Sequence, residues 1–134
     1  MQVRDLDGNS ASWHLTGHIA YGTINKSDLH IRARSLLHNE YPTLQVLEEV
    51  PISIRKGETL YLDFYLPLKK ICCEVHGEQH YKFVQFYHQS MMGFLKSQKR
   101  DREKAEWCEL NGIRYITFPF DRTDEEWKEI LKHD

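Results

Sequence analysis

Cysteine is scarce in this 134-residue chain, and its three copies, Cys72, Cys73 and Cys108, are odd in number. Three thiols build no disulfide framework, and no C-x-x-C spacing occurs, which excludes a disulfide scaffold and a zinc ribbon. Adjacent residues on a strand point to opposite faces, so Cys72 and Cys73 do not share one tetrahedral centre with His76 and His80. No apolar run approaches the ~18 residues of a membrane span. The opening residues lack the apolar stretch of a secretory signal. The expected setting is therefore the cytoplasm, with no membrane partner. Internal repeats, low-complexity tracts and linkers are also missing, and the length suits one domain over 1–134. A formal net charge of −2 offers no general attraction to nucleic acid, so such a partner must be met by a local basic patch.

Acids are present where apolar residues dominate. Two strand-like runs between Leu60 and Tyr81 flank a Pro-Leu-Lys-Lys turn. If Leu68 and Lys69 form the loop, Leu66 faces Ile71, Phe64 faces Cys73 and Asp63 faces Glu74. Alternation then puts Asp63, Glu74 and His76 on the face opposite the aliphatic residues. Facing residues lie about 4.5–5.5 Å apart at Cβ, so two carboxylates are forced together. Like charges that close repel and raise a pKa, and a hard divalent cation with oxygen ligands resolves the conflict. The pattern reads as a metal-dependent hydrolase.

The remaining elements follow from local signals. Residues 1–24 read as a small hairpin or cap around the Asp7-Gly8 turn. A helix starts after Ser27, with Leu29, Ala33, Leu36, Leu37 and Glu40 on one stripe, and ends before Pro42. A strand spans 46–54, where Pro51 argues for an edge or a bend. Residues 82–93 read as loop or short helix. A second helix spans 95–110 and stops at Asn111-Gly112. A strand covers 114–118, and Thr123 to Glu126 has capping-box spacing before a terminal helix over 123–134. Trp107, Leu110 and Trp127 read as core. The basic run Lys96, Lys99, Arg100, Arg102 and Lys104 is a candidate phosphate-binding segment, with Lys26, Arg32 and Arg34 as a weaker cluster.

The order αβββαβ, with an acid on the second strand and Glu-x-His on the third, resembles the PD-(D/E)xK nuclease superfamily. The block EVHGEQHY at 74–81, RDREK at 100–104 and GIRYITFP at 112–119 resemble small phage and bacterial nucleases related to very-short-patch repair and homing endonucleases. The resemblance covers residues 27–120. It implies an α/β fold with a restriction-endonuclease-like core, a mixed central sheet flanked by helices. It implies Mg²⁺ or Mn²⁺ held by Asp63, Glu74, the carbonyl of Val75 and the helical acid Glu40. His76 stands where the family has lysine, as base or phosphate contact, and Lys104 is a candidate replacement for that lysine. Gln79, His80, Lys96, Lys99, Arg100 and Arg102 are then the expected contacts to nucleic acid. The implied activity is endonucleolytic cleavage of DNA by a cytoplasmic, phage-encoded protein working as a homodimer or with a specificity partner. An RNA or branched-DNA nuclease, a non-catalytic DNA-binding or anti-defence module, and a histidine-based metal hydrolase are the alternatives.

Overall fold

The computed structural model describes residues 1–15, 18–19 and 27–133. Part of the expected N-terminal cap, at 16–17 and 20–24, and Lys26 of the weaker basic cluster lie outside the described residues. The cap begins as expected, with β1 (Gln2–Arg4) paired antiparallel to β2 (Ser10–Ser12). In the turn between them the Asp5 carboxylate accepts the Asp7 and Asn9 amides, each at 2.9 Å. Gly8 has φ 86°, a conformation that side chains disfavour.

The second sheet is mixed. Its strands run in the order β3 (His18–Ile19), β4 (Leu47–Arg55), β5 (Glu58–Leu66), β6 (Ile71–His76) and β7 (Arg114–Pro119). Neighbours are antiparallel except β6 and β7, which are parallel and joined by α3 (Met91–Leu110). The other helices are α1 (Asp28–Glu40), the single turn α2 (Gln85–His88) and α4 (Asp124–Lys132). Caps anchor the ends. The Ser27 hydroxyl accepts the His30 amide, and Thr123 and Glu126 form the expected reciprocal capping box. None of the helices is long and apolar enough to cross a membrane, among the described residues.

Two apolar clusters use this sheet. Ala33, Leu36 and Leu37 of α1 and Trp127 and Leu131 of α4 pack with Phe64, Leu66, Ile71, Cys73, Ile116 and Phe118. Trp107 and Cys108 of α3 pack with Val50, Ile52, Leu62, Tyr65 and Cys72. Each large side chain buried in full contributes ~1.5–3 kcal/mol, against ~0–1 kcal/mol for an exposed ion pair. The clusters therefore decide how the helices sit. Leu110, expected in the core, is the last residue of α3 and is exposed.

Alternation breaks at one place. Phe64 and Leu66 belong to the α1 cluster, yet Leu60 and Leu62 of the same strand belong to the α3 cluster. On β4 the even-numbered Glu48 bonds to α1 residues, whereas Val50, Ile52 and Ile54 join the α3 cluster. Between them sits Glu49 with φ 54°, opposite Asp63. A non-glycine residue in that region is uncommon. The kink turns the outer half of the β4–β5 hairpin toward α3. There an ion pair from Arg55 to Glu103 of α3 ties it down. Pro51 lies on the stretch of β4 beyond the reach of β3, as an edge requires, and its carbonyl accepts the Trp13 indole at 3.0 Å.

Helix α3 begins at Met91 rather than at Leu95. The Ser90 hydroxyl caps it by accepting the Gly93 amide at 3.1 Å, while exposed Met91, Met92 and Leu95 supply no apolar stripe to announce the first turn. Gly93 is required there, since a Cβ would stand 2.4 Å from the His88 carbonyl oxygen.

A buried charge network joins α1 to β4. Glu48, fully buried, accepts both Arg34 guanidinium hydrogen bonds at 3.0 Å and bonds to His30, whose ring stacks on Phe64 at 4.4 Å. Removing one partner of such a pair strands the other's charge, typically at ~3–5 kcal/mol. Glu48→Ala is expected to lower stability by about that amount in denaturant unfolding. A loss of less than about 1 kcal/mol, the range of surface pairs, would show that the network is not holding α1.

Candidate functional site

The site is made where β5 and β6 part. Their ladder runs through Leu66–Ile71, Tyr65–Cys72 and Phe64–Cys73, the expected register, and ends there. One residue further on, carboxylates replace the ladder. The Asp63 amide donates to Glu74 Oε2 at 2.6 Å, and the Val75 amide donates to Asp63 Oδ2 at 2.9 Å. Asp63 and Glu74 are therefore neighbours, as read from the sequence, and the backbone amides hold them at the mouth of the split. Glu49, with its left-handed backbone, lies directly across from Asp63 on β4.

Helix α3 covers this split, so the face expected to be polar and open is largely closed. Glu74 is only 2% exposed and His76 is 7% exposed. Lys104 of α3 donates to Glu74 Oε1 at 2.7 Å. Burial, then the Asp63 charge, push Glu74 up to about 8, and the nearby ammonium only partly offsets them. Burial opposes charge on Lys104 too, but the charge and hydrogen bond of Glu74, with Asp63 beside it, hold its pKa above the usual value. Asp101 and Lys104, one helical turn apart on α3, take different partners. Lys104 goes to Glu74, and Asp101 goes to His80.

The histidines form a stack. The His76 and His80 rings lie 4.2 Å apart and 4° from parallel, and the edge of Tyr81 meets His76 at 5.8 Å. His80 Nδ1 bonds to Asp101 Oδ2 at 2.8 Å. An ionised carboxylate only accepts, so the bond to Asp101 takes a proton on His80 Nδ1. Burial pushes Asp101 up, but the His80 hydrogen bond and the charges of His80, His76 and Lys104 outweigh it and hold the acid low. His76 is the more deeply buried of the two rings. Burial, then the charge of His80, depress it to about 4, so it is neutral at physiological pH. Its Nε2 is buried without a hydrogen-bond partner among the described residues.

A cleft of about 380 Å³ opens beside these groups, lined by Asp63, His80, Arg100, Asp101, Lys104 and Glu49 among others. Asp101 and Glu49 are cleft residues that the strand pattern did not reveal. Asp101 stands one helical turn before Lys104 and so shares its face, a signal present in the sequence. Glu49 reaches the cleft through its left-handed backbone, which no periodicity announces. Glu40 is not brought to the site. It ends α1 on the other cluster's side of the sheet, where its charge bears on Tyr41. Gln79, in a single 3-10 turn, packs its amide over Gly77. The basic run divides by helical phase. Arg100 lines the cleft and exposed Lys96 lies one turn before it. Lys99 and Arg102 fall on the far side of α3, near Glu103.

The oxygen donors of Asp63 and Glu74 suit a hard divalent cation. His76, His80 and Asp101 also bring ligand atoms within 4.8 Å of one another. An imidazole ligates along its ring plane, and two parallel stacked rings do not aim at one ion without turning.

Sequence comparison finds viral relatives. The chain is 36% identical over 61 residues to uncharacterized protein 307L of Invertebrate iridescent virus 6, covering 46% of this chain and 31% of that protein. It is 33% identical over 64 residues to uncharacterized protein 033L of Invertebrate iridescent virus 3, 48% of this chain and 33% of that one. For uncharacterized protein 094L of Frog virus 3 (isolate Goorha) the identity is 35% over 71 residues, 52% and 46% of the two chains. The matched segment thus spans between about a third and a half of these relatives' length. No family model and no solved structure matches the chain.

The two perturbed groups give opposite expectations. Glu74 binds its proton more tightly folded than unfolded, so its contribution to stability is intact below about 4.5 and fades as pH rises through about 8. Glu74→Gln is expected to remove that decline, read as unfolding midpoint against pH. His76 is expected to keep the NMR shifts of a neutral imidazole down to about 4. A His76 titration near the ordinary value of ~6.5 would contradict the buried, stacked geometry.

Proposed function

We propose that this protein is a Mg²⁺- or Mn²⁺-dependent endonuclease that hydrolyses DNA phosphodiester bonds, built on a restriction-endonuclease-like core. The observation that carries the reading is the Asp63–Glu74 pair, held by backbone amides at the mouth of two parting strands. Its one close cationic partner among the described residues is Lys104. Two carboxylates kept together at the cost of a raised Glu74 pKa fit the ligand set of a divalent ion. The unpartnered His76 Nε2 beside them is a further unused polar atom. The element order α1, β4, β5, β6, α3, β7 supports the family resemblance.

Asp63, Glu74 and the Val75 carbonyl would hold the ion. When bound, it supplies polarisation of the scissile phosphate and a lowered pKa for attacking water. The chain's own groups do the rest. Lys104, which bonds Glu74 Oε1 beside the cleft, would donate to a phosphate oxygen and stabilise the developing negative charge. His80 accepts the proton of the attacking water at Nε2, oriented from behind by Asp101 in the manner of a histidine–carboxylate dyad. His76, neutral and buried, positions His80 by stacking and replaces the family's lysine only in place. Arg100 and Lys96 receive the phosphate backbone. Glu40 has no part in the reaction, and Glu49 is the acid placed to orient water at the cleft. The viral relatives fit a virus-encoded enzyme. A cleft of this size fits a homodimer or a partner protein that supplies sequence choice.

Cleavage of supercoiled plasmid tests this directly. Wild-type protein is expected to nick or cut with Mg²⁺ or Mn²⁺ and to stop in EDTA, and Asp63→Ala and Glu74→Ala to be inactive while folded. Wild-type turnover by either variant would sink the assignment. Lys104→Ala is expected to lose about 10–100-fold, the value of one charge-assisted contact. Glu40→Ala is expected to cut normally.

Phosphate binding makes a separate prediction. Arg100→Ala is expected to weaken DNA binding and flatten its dependence on salt, and Arg102→Ala to do neither. Equal effects of the two would mean that DNA wraps α3 rather than entering the cleft.

A further inference from the structure

Beyond the stack of histidines lies a second cavity, of about 340 Å³, at the carboxyl ends of the parallel strands β6 and β7. That volume is at the lower end of the ~300–1,000 Å³ typical of small-ligand sites, which suits a single ring system rather than a length of chain. Tyr81 and Phe120 form its walls, with ring centroids 6.1 Å apart and planes tilted by 37°, an open wedge. Both rings are partly exposed, at 48% and 37%, although each is large enough to be core.

The rim is charged but self-compensated. Lys82 pairs with Glu78 at 2.7 Å, and Arg122 pairs with Glu126 at 3.3 Å beside Asp121. Among the described residues lining it, both cations are already paired, and a phosphate meets the Glu78 and Asp121 carboxylates as well. A neutral planar group fares better. One face stacks on the exposed ring surface, and its edge amines and carbonyls find carboxylate acceptors and cationic donors around the rim.

The cavity neighbours the cleft across the histidine stack, and the two share no lining residue. The Phe120 amide donates to the His76 carbonyl at 2.8 Å. Rings then run without interruption from the cleft outward: His80 on His76 at 4.2 Å, His76 to Tyr81 at 5.8 Å, and Tyr81 to Phe120 at 6.1 Å. We infer that the Tyr81–Phe120 cavity is a nucleobase site, which takes one unpaired base adjoining the phosphate seated at Asp63 and Glu74. The inference rests on the nuclease reading for that phosphate, and it names the substrate class: DNA with an unpaired or extruded nucleotide, in preference to uninterrupted duplex. Each stacked base contributes enough to change affinity by about tenfold or more.

The test uses the full-length chain in EDTA, so that binding is read without cleavage. Two short duplexes of the same sequence are compared, one fully paired and one with a single unpaired 2-aminopurine. The wild type is expected to bind the unpaired form about tenfold more tightly and to shelter its fluorescence from acrylamide. Tyr81→Leu and Phe120→Leu are expected to abolish both the preference and the shelter while leaving the paired duplex bound as before. Tyr81→Trp, which keeps an aromatic face at a half-exposed position, is expected to retain them. Equal affinity for the two duplexes, an unsheltered probe, or a preference that survives both leucine variants overturns the inference. Cleavage of the same duplexes in Mg²⁺ separates the two readings. Base capture without cleavage would reject the nuclease and keep the base site, and cutting without base preference would do the opposite.

Discussion

The rest of this site depends on one constraint: two backbone amides that have lost their strand partners must be satisfied by side chains. Asp63 and Val75 stand just past the last ladder pair of β5 and β6, and the carboxylates of Glu74 and Asp63 accept their N–H groups. A buried donor left unmade costs ~1–3 kcal/mol, so the two acids are fixed by the same bonds that end the ladder. Their closeness follows from that. So do the raised proton affinity of Glu74 and the position of Lys104, which gives α3 a cationic link to the split.

From there the structure divides its labour between the two sides of the sheet. On the α1 side, Glu48 gathers His30 and Arg34 into a buried network that holds a helix in place. On the α3 side, acids of similar chemistry open on a cleft. Glu48 and Glu49 are adjacent in sequence, yet the first is wholly internal and the second lines the cleft. The left-handed backbone at Glu49 separates the two roles.

Much of this was legible in the residues, and the parts that were not have specific causes. Turn length and alternation predict the β5–β6 register correctly as far as Phe64 and Cys73, and the pairing of Asp63 with Glu74 follows from them. Alternation fails beyond Glu49, because a change of backbone region leaves no mark on the hydrophobic pattern. Glu40 is an acid on the apolar stripe of a real helix, but a helix stripe does not say which end approaches the sheet's split. Arg102 belongs to a basic run, and only the helical phase shows that it faces away from Arg100. The charge state of His76 depends on how deeply α3 buries it, which strand spacing does not report. Asp101 was within reach, since its spacing from Lys104 puts both on one face.

Lys104 has one more consequence. Many small metal domains do not fold until their ion arrives, because only the ion cancels the charges of its ligands. Here an ammonium 2.7 Å from Glu74 already does part of that work. On the metal-dependent reading proposed above, assembly of the chain would not wait for a divalent ion. The protein would then reach its finished shape first and meet the ion afterwards.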